Sequence, residues 1–230
     1  MATHEDLAYT VSLVEHTGRR IYAARGDVRS YADLSEAVHM GMELFGQIDI
    51  VCANAGIAST GLAWKLTEEQ WREMIDVNLT GSWLTAKAAI PAMIESGQGG
   101  SIIFISSVAG LIGRQHMAHY VAAKHGLVGL MRTLANELAE YRIRVNSIHP
   151  TNVNTDMIRN PAAHDLYAPP GVHGTPQQFI EAITDLNAFP IPWVESSDVS
   201  NAVLWLASEE SRYVTGTVVP VDAGASVKSP

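Results

Sequence analysis

The sequence predicts an α/β protein built on a doubly wound parallel sheet. Short apolar runs alternate with longer stretches of helical period, the pattern of successive βαβ units with right-handed crossovers. The runs are apolar on both alternating positions, which suits strands covered on both faces. No low-complexity tract, internal repeat or Gly/Ser linker divides the first 150 residues. A chain of 230 residues, 47% apolar and 17% charged, is large enough to bury a substantial core as one domain, 1–230.

In order along the chain, Leu7 to His16 reads as a helix, with Leu7, Val11 and Val14 on one face and Gly18 as its stop. Ile21 to Asp27 is a short strand candidate. Ser30 can cap the next helix, whose Leu34, Val38, Met42 and Phe45 line one side down to Gly46. Ile48 to Ala53 reads as a buried strand ending in Asn54-Ala55-Gly56. Thr67 and Gln70 form a capping box, and the helix they open should run to about Ile94, kinked near Pro91. Ser101 to Ser106 is the third strand, His119 to Tyr141 a long helix, and Val145 to Ile148 the fourth strand. A helix begins at Ser197 and Asp198, with Val199, Ala202, Val203 and Leu206 at helical spacing, and Thr217 to Val221 is the last strand. Between Asp156 and Ser196 prolines and glycines interrupt the pattern, and only Gln177 to Leu186 looks helical. An insertion after a strand's carboxyl end is a natural lid, so residues 156–196 are expected to cover a site.

Composition excludes several function classes. The formal net charge of −9 provides no basic field for nucleic acid or an anionic membrane. The single cysteine, Cys52, excludes an internal disulfide or a multi-cysteine metal site and, inside an apolar strand, is expected to be inert packing. No run long and apolar enough to span a bilayer occurs, and the acidic start does not read as a secretory signal; a soluble, cytoplasmic protein is expected. His116, His119 and His125 lack an evident arrangement for metal and are read as pocket-mouth or solvent residues. The five tryptophans are spaced as core or subunit contacts rather than as a base-stacking ladder.

The strongest chemical signal is Tyr120-Val121-Ala122-Ala123-Lys124, which puts tyrosine and lysine on one helix face. A phenol titrates near pH 10, too high for acid/base work at neutrality, and a nearby ammonium favours the phenolate. Alone, the motif recurs by chance, and an amphipathic surface pair is its commoner meaning. Context changes the reading. Ser106 and Ser107 end one strand, Asn54-Ala55-Gly56 another, Asn78 lies in the helix between, and Pro150-Thr151-Asn152-Val153-Asn154-Thr155 follows the next strand. All fall at the carboxyl ends of parallel strands or on the helices beside them, where open α/β sheets bind ligands.

From Asp27 to Gly224 the chain resembles the short-chain dehydrogenase/reductase family, which has a Rossmann-like sheet. The resemblance rests on Asn54-Ala55-Gly56, Asn78, Ser107, Tyr120, Lys124 and the Pro150 to Thr155 segment, in order and at family-like spacing. The opening helix, His149-Pro150-Thr151 and the ending from Tyr213 to Gly224 are similar to the carveol-dehydrogenase-like, mycofactocin-associated branch. The resemblance implies Tyr120 as general acid/base and Lys124 as holder of the nicotinamide ribose and depressor of the phenol pKa. It implies Ser107 as hydrogen-bond partner of the substrate oxygen and Asn78 as anchor of a water. Asp27 and Val28 would flank the adenine; Asn54, Ala55 and Gly56 would lie under its ribose. Pro150, Val153 and Thr155 would face the nicotinamide end. An ordinary strand-end acid is the alternative for Asp27. The implied reaction is hydride transfer between NAD and a secondary alcohol or ketone, and the implied assembly a homodimer or homotetramer.

The apolar residues expected near the pocket are Leu111, Ile112, Met117, Met157, Ile158, Leu166, Tyr167, Phe189 and Trp193. They suit a hydrophobic, terpenoid-like alcohol, although the same residues could simply pack a lid. The family's opening strand, its Thr-Gly-x-x-x-Gly-x-Gly turn for the pyrophosphate and its second strand have no counterpart before Asp27. By a two-strand, one-helix estimate, roughly 40–50 residues are expected to be missing. The residue that separates NAD from NADP would lie there, so NADP stays open. In the family's strand order the loss leaves a gap of roughly 10 Å between Ile21–Asp27 and Ile48–Ala53. Either the first strand moves over to pair, or the sheet is compromised, or the chain as written starts at an internal methionine. Weak cofactor binding by this N-terminally truncated chain is the expectation, and a non-catalytic, dehydrogenase-like interaction subunit is the alternative function.

Overall fold

The computed structural model describes residues 3–165 and 173–229. Helices α1 (His4–His16) and α2 (Tyr31–Phe45) come first, followed by β1 (Ile50–Ala53) and α3 (Glu68–Ile75). A π-helical turn, Asp76–Thr80, joins α3 to α4 (Gly81–Ser96). Next are β2 (Gly100–Ile105), α5 (Ala118–Glu137) and β3 (Ile143–Pro150). The chain then forms α6 (Pro161–Asp165), α7 (Pro176–Thr184), α8 (Ser196–Ala207) and β4 (Val218–Val221). The four strands form one parallel sheet in the order β1-β2-β3-β4.

Strand alternation sorts the core into two layers. Val51, Ala53, Ile102, Phe104, Ile143 and Val145 face α4 and α5, where Ala86, Met93, Leu127 and Met131 meet them. Ile103 and Ile148 face the opposite way, against Leu206 of α8. Helices on both faces give the doubly wound α/β architecture. Gly100 sits where a Cβ would fall 2.5 Å from the Asp49 carbonyl oxygen, and its φ of +151° lies in glycine's territory, so only glycine starts β2 here.

Three expectations are corrected. Ile21 to Asp27 is not a strand: residues 22–27 are exposed and the segment has no ladder partner. Extended backbone joins a sheet through a neighbour's hydrogen bonds, and no strand pairing among the described residues includes this segment. The segment therefore has not moved over to pair, and β1 forms the edge of the sheet. Strand β1 begins at Ile50 rather than Ile48 and is only half-buried, with Ile50 and Cys52 exposed on alternate positions. Cys52 is thus not core packing, although atoms crowded around its sulfur still push the thiol pKa up. The helix opened by the Thr67–Gln70 box also passes through a π turn at Asp76–Thr80, and Pro91 lies inside α4.

Four tryptophans that could have been core are exposed: Trp64, Trp71, Trp83 and Trp205. The interrupted segment after β3 returns to the sheet end. Val153 pairs with Val194 in a single parallel bridge, and the backbone N–H groups of Ala188 and Phe189 both donate to the Ala223 carbonyl at 3.0 Å. Helix α7 buries Phe179 and Ile183. Leu166 and Tyr167 lie outside the described residues. Among the described residues no helix is long and apolar enough to cross a membrane.

Candidate active site

The carboxyl ends of β1, β2 and β3 converge on the amino-terminal half of α5. Beyond the end of β2 the chain turns at Ser107, which caps a 3-10 turn at Val108–Gly110 by accepting from the Ala109 N–H at 3.1 Å. This separates the two adjacent serines. Ser106 donates to the Lys124 carbonyl at 3.1 Å and is structural, whereas Ser107 lies close enough to Tyr120 for its hydroxyl to favour the phenolate. Gly110 allows the close packing: a Cβ there would fall 2.7 Å from both the Lys124 carbonyl oxygen and Ser106 Oγ.

Lys124 is buried one turn along α5 from Tyr120. Its Nζ donates to the Ile105 carbonyl at 2.9 Å and lies 5.5 Å from the centre of the Tyr120 ring. Burial lowers the ammonium pKa to about 8. Burial also pushes the Tyr120 phenol up, and the Ser107 hydroxyl opposes that rise. Burial is the larger of these two influences on the phenol; Lys124 Nζ lies over the ring while bonded to a backbone carbonyl.

Asn78 sits in the middle of the π turn, 0% exposed. The widened turn lets its side chain reach across to β1's loop instead of staying on the helix. Its Nδ2 donates to the Ile57 and Met74 carbonyls at 3.0 and 3.1 Å, while its Oδ1 accepts the Ile57 N–H at 3.3 Å. Gly56 is pressed beneath it, where a Cβ would fall 2.8 Å from Oδ1. The π turn has no simple periodic signature, so sequence reasoning missed this clamp.

The residues expected at the adenosine end divide. Val28, Asn54 and Ala55 line one cleft of about 140 Å³ together with Leu34, Cys52, Ala53, Gly81, Ser82 and Thr85. Asp27 does not join them. Its carboxylate is held by the Arg29 backbone N–H and guanidinium, which lower its pKa to about 2. At the other end, Pro150 is buried, Val153 is fixed by its bridge to Val194, and Thr155 is exposed with its hydroxyl 3.3 Å from the Val153 carbonyl.

The histidines part company. His119 is buried and shares a 2.9 Å hydrogen bond with Ser59, whereas His116 and His125 are exposed. Two further buried groups near the site read in sequence only as part of a branch-like motif, without a structural role. Thr151 donates to Asn187 at 2.8 Å, tying β3's loop to the insertion, and His149 lies under Ser107. Both are ordinary polar residues in sequence, and only the fold brings their partners close.

A family model described as enoyl-(acyl carrier protein) reductase matches residues 2–226. A (−)-trans-carveol dehydrogenase of Rhodococcus erythropolis is 49% identical over 99% of this chain and 83% of its own length. The crystal structure of a carveol dehydrogenase from Mycobacterium avium in complex with NAD superposes with a TM-score of 0.96 at 46% identity, covering 99% of this chain and 83% of that one. A short chain dehydrogenase from Mycobacterium paratuberculosis, bound to NAD, gives a TM-score of 0.87 at 40% identity, over 99% of this chain and 82% of that one. With Ser107, Tyr120, the buried Lys124 and the Asn78 clamp gathered at one sheet end, and with these relatives, the chain belongs to the short-chain dehydrogenase/reductase family.

Proposed function

We propose that this chain is an oxidoreductase transferring a hydride between NAD and a hydrophobic secondary alcohol or its ketone. The observation that carries the reading is the buried Lys124, whose Nζ lies 5.5 Å from the centre of the Tyr120 ring, with Ser107 acting on the same phenol. The relatives support the cofactor and substrate class, since one acts on carveol and two solved neighbours hold NAD. The cleft beside Val28, Asn54 and Ala55, and the bare Gly56 backbone under Asn78, fit the adenosine half of such a cofactor. The site residues expected from sequence are retained in this role, except that Asp27 acts through backbone placement rather than through a free carboxylate.

When bound, NAD supplies the hydride acceptor. The protein's part is proton handling and orientation. Ser107 and Tyr120 both present hydroxyls to the substrate oxygen. In its phenolate form, steadied by the ammonium of Lys124, Tyr120 takes the alcohol proton and becomes the phenol, while Ser107 holds the oxygen as charge develops. Asn78 fixes the Gly56–Ile57 backbone against which the cofactor's ribose would rest. Leu111, Ile112, Met117 and Trp193 are partly buried, and Phe189 and Met157 are exposed; as residues expected near the pocket they would suit an apolar alcohol. Residues 156–196 serve as the lid. Exposed Trp71 and Trp83, on the helices flanking the π turn, support a homodimer or homotetramer.

The test is oxidation of carveol and other cyclic secondary alcohols with NAD in large excess, followed by nicotinamide absorbance. Turnover that disappears in Tyr120→Phe is the expected result. A trace reaction unchanged by that substitution would favour a non-catalytic, dehydrogenase-like subunit instead.

A further inference from the structure

His149 ends β3 with an imidazole that is 0% exposed. Its two ring nitrogens have different partners. Nδ1 lies 2.7 Å from the Ser107 carbonyl oxygen, and Nε2 lies 2.8 Å from Ser147 Oγ. A carbonyl can only accept, so Nδ1 carries the hydrogen; Nε2 is then the acceptor and the Ser147 hydroxyl the donor. Ser147 and His149 lie two residues apart on one face of β3, the face toward α5. The Ser147 N–H is itself fixed by the Thr217 carbonyl at 3.1 Å, so the relay is anchored in the sheet.

What the relay holds is the peptide that carries the Ser107 hydroxyl. The β2–β3 ladder reaches the Ser106 N–H, which donates to the Ile148 carbonyl at 2.8 Å. Beyond that, the Ser107 carbonyl has left the strand and receives the Gly110 N–H of the 3-10 turn at 2.8 Å. His149 fills its second lone pair. The imidazole therefore extends the sheet's hydrogen bonding by one rung, at the residue whose hydroxyl meets Tyr120.

We propose that His149, locked as its Nδ1–H tautomer by Ser147, is a positioning residue that sets the Ser107 hydroxyl against the Tyr120 hydroxyl. The catalytic consequence rests on the dehydrogenase reading above; the geometric claim concerns the free protein. Burial keeps the ring neutral, with a pKa of about 4, which preserves the single donor the arrangement needs.

Two substitutions separate positioning from packing. His149→Asn places an amide N–H near the former Nδ1 and keeps the donor; His149→Leu fills the space and removes it. In the free protein, the Tyr120 midpoint is read by NMR of tyrosine labelled with carbon-13 at Cζ. It should rise by about one unit in His149→Leu, the size of one lost hydrogen bond, and stay in place in His149→Asn. Turnover at saturating NAD should fall roughly ten- to a hundredfold in His149→Leu with the KM for NAD unchanged, and recover in His149→Asn. Nitrogen-15 shifts of the unmodified protein should report the Nδ1–H tautomer. The proposal is overturned by an Nε2–H tautomer, by a Tyr120 midpoint indifferent to His149→Leu, or by an Asn variant as impaired as the Leu one. Should His149→Leu fail to fold, the tautomer and the Asn variant still decide. Should the chain turn over no alcohol, the dehydrogenase reading fails while the Tyr120 titration still tests the positioning.

Discussion

Lys124 Nζ is bonded to the carbonyl of Ile105, the last residue of β2, at 2.9 Å. That contact pins a charged group inside the protein, one helical turn from the phenol it is to assist. Its ammonium pKa is lowered to about 8 by desolvation, against an ordinary 10.5. Between those two values the unfolded chain holds a proton that the folded chain has released. Stability therefore rises with pH across that window, and below about pH 8 the folded state carries the penalty of a buried cation. Lys124→Met should remove alcohol oxidation. It should also leave the protein as stable as the parent or more so at pH 7, by up to about 3 kcal/mol. That margin should shrink as pH approaches 10.5. Urea melts of both proteins at neutral and alkaline pH measure the difference; a Met variant that loses stability at pH 7 would contradict it.

The Asn78 clamp predicts a backbone consequence. Asn78→Ala would leave both the N–H and the carbonyl of Ile57 without their side-chain partner, at about 1–3 kcal/mol for each group that stays dry. Gly56→Ala should be damaging for a different reason, because its new methyl would meet Asn78 Oδ1 at 2.8 Å and that oxygen is not free to swing away. Thermal denaturation should show both variants melting several degrees below the parent. Combining Gly56→Ala with Asn78→Ala should destabilise by less than the sum of the two, since the second change removes the atom the first one strikes. Strict additivity would mean that the two residues do not touch.

These two predictions also mark what could be read before folding. The strands at 101–106 and 145–148 were legible because both of their faces are apolar, and Tyr120, Lys124 and Ser107 were legible because their spacing relative to those strands is characteristic. Asn78 was identified, but not its means of reaching Ile57, since a π turn inserts one residue without altering the helical pattern around it. The segment Ile21–Asp27 has a strand's composition and failed as a strand for want of a neighbour. That is information a local window does not contain. His149 and Thr151 looked like a variant motif; their partners, Ser107 and Asn187, are distant in sequence.

His149 should make the fold acid-sensitive. Burial is the main cause of its lowered pKa. Nearby positive charge from Lys124 and His125 adds to it, and the Ser107 carbonyl and Asp222 oppose it. Between pH 6.5 and about 4 the unfolded chain binds a proton that the folded chain refuses, so this contribution to stability is present above 6.5 and lost as pH falls toward 4. The loss attributable to this one ring is up to about 3 kcal/mol. His149→Asn, which cannot titrate, should flatten the stability profile over that range. Denaturant melts of parent and variant across mildly acidic pH compare the slopes directly, and parallel curves would exclude the ring as their source.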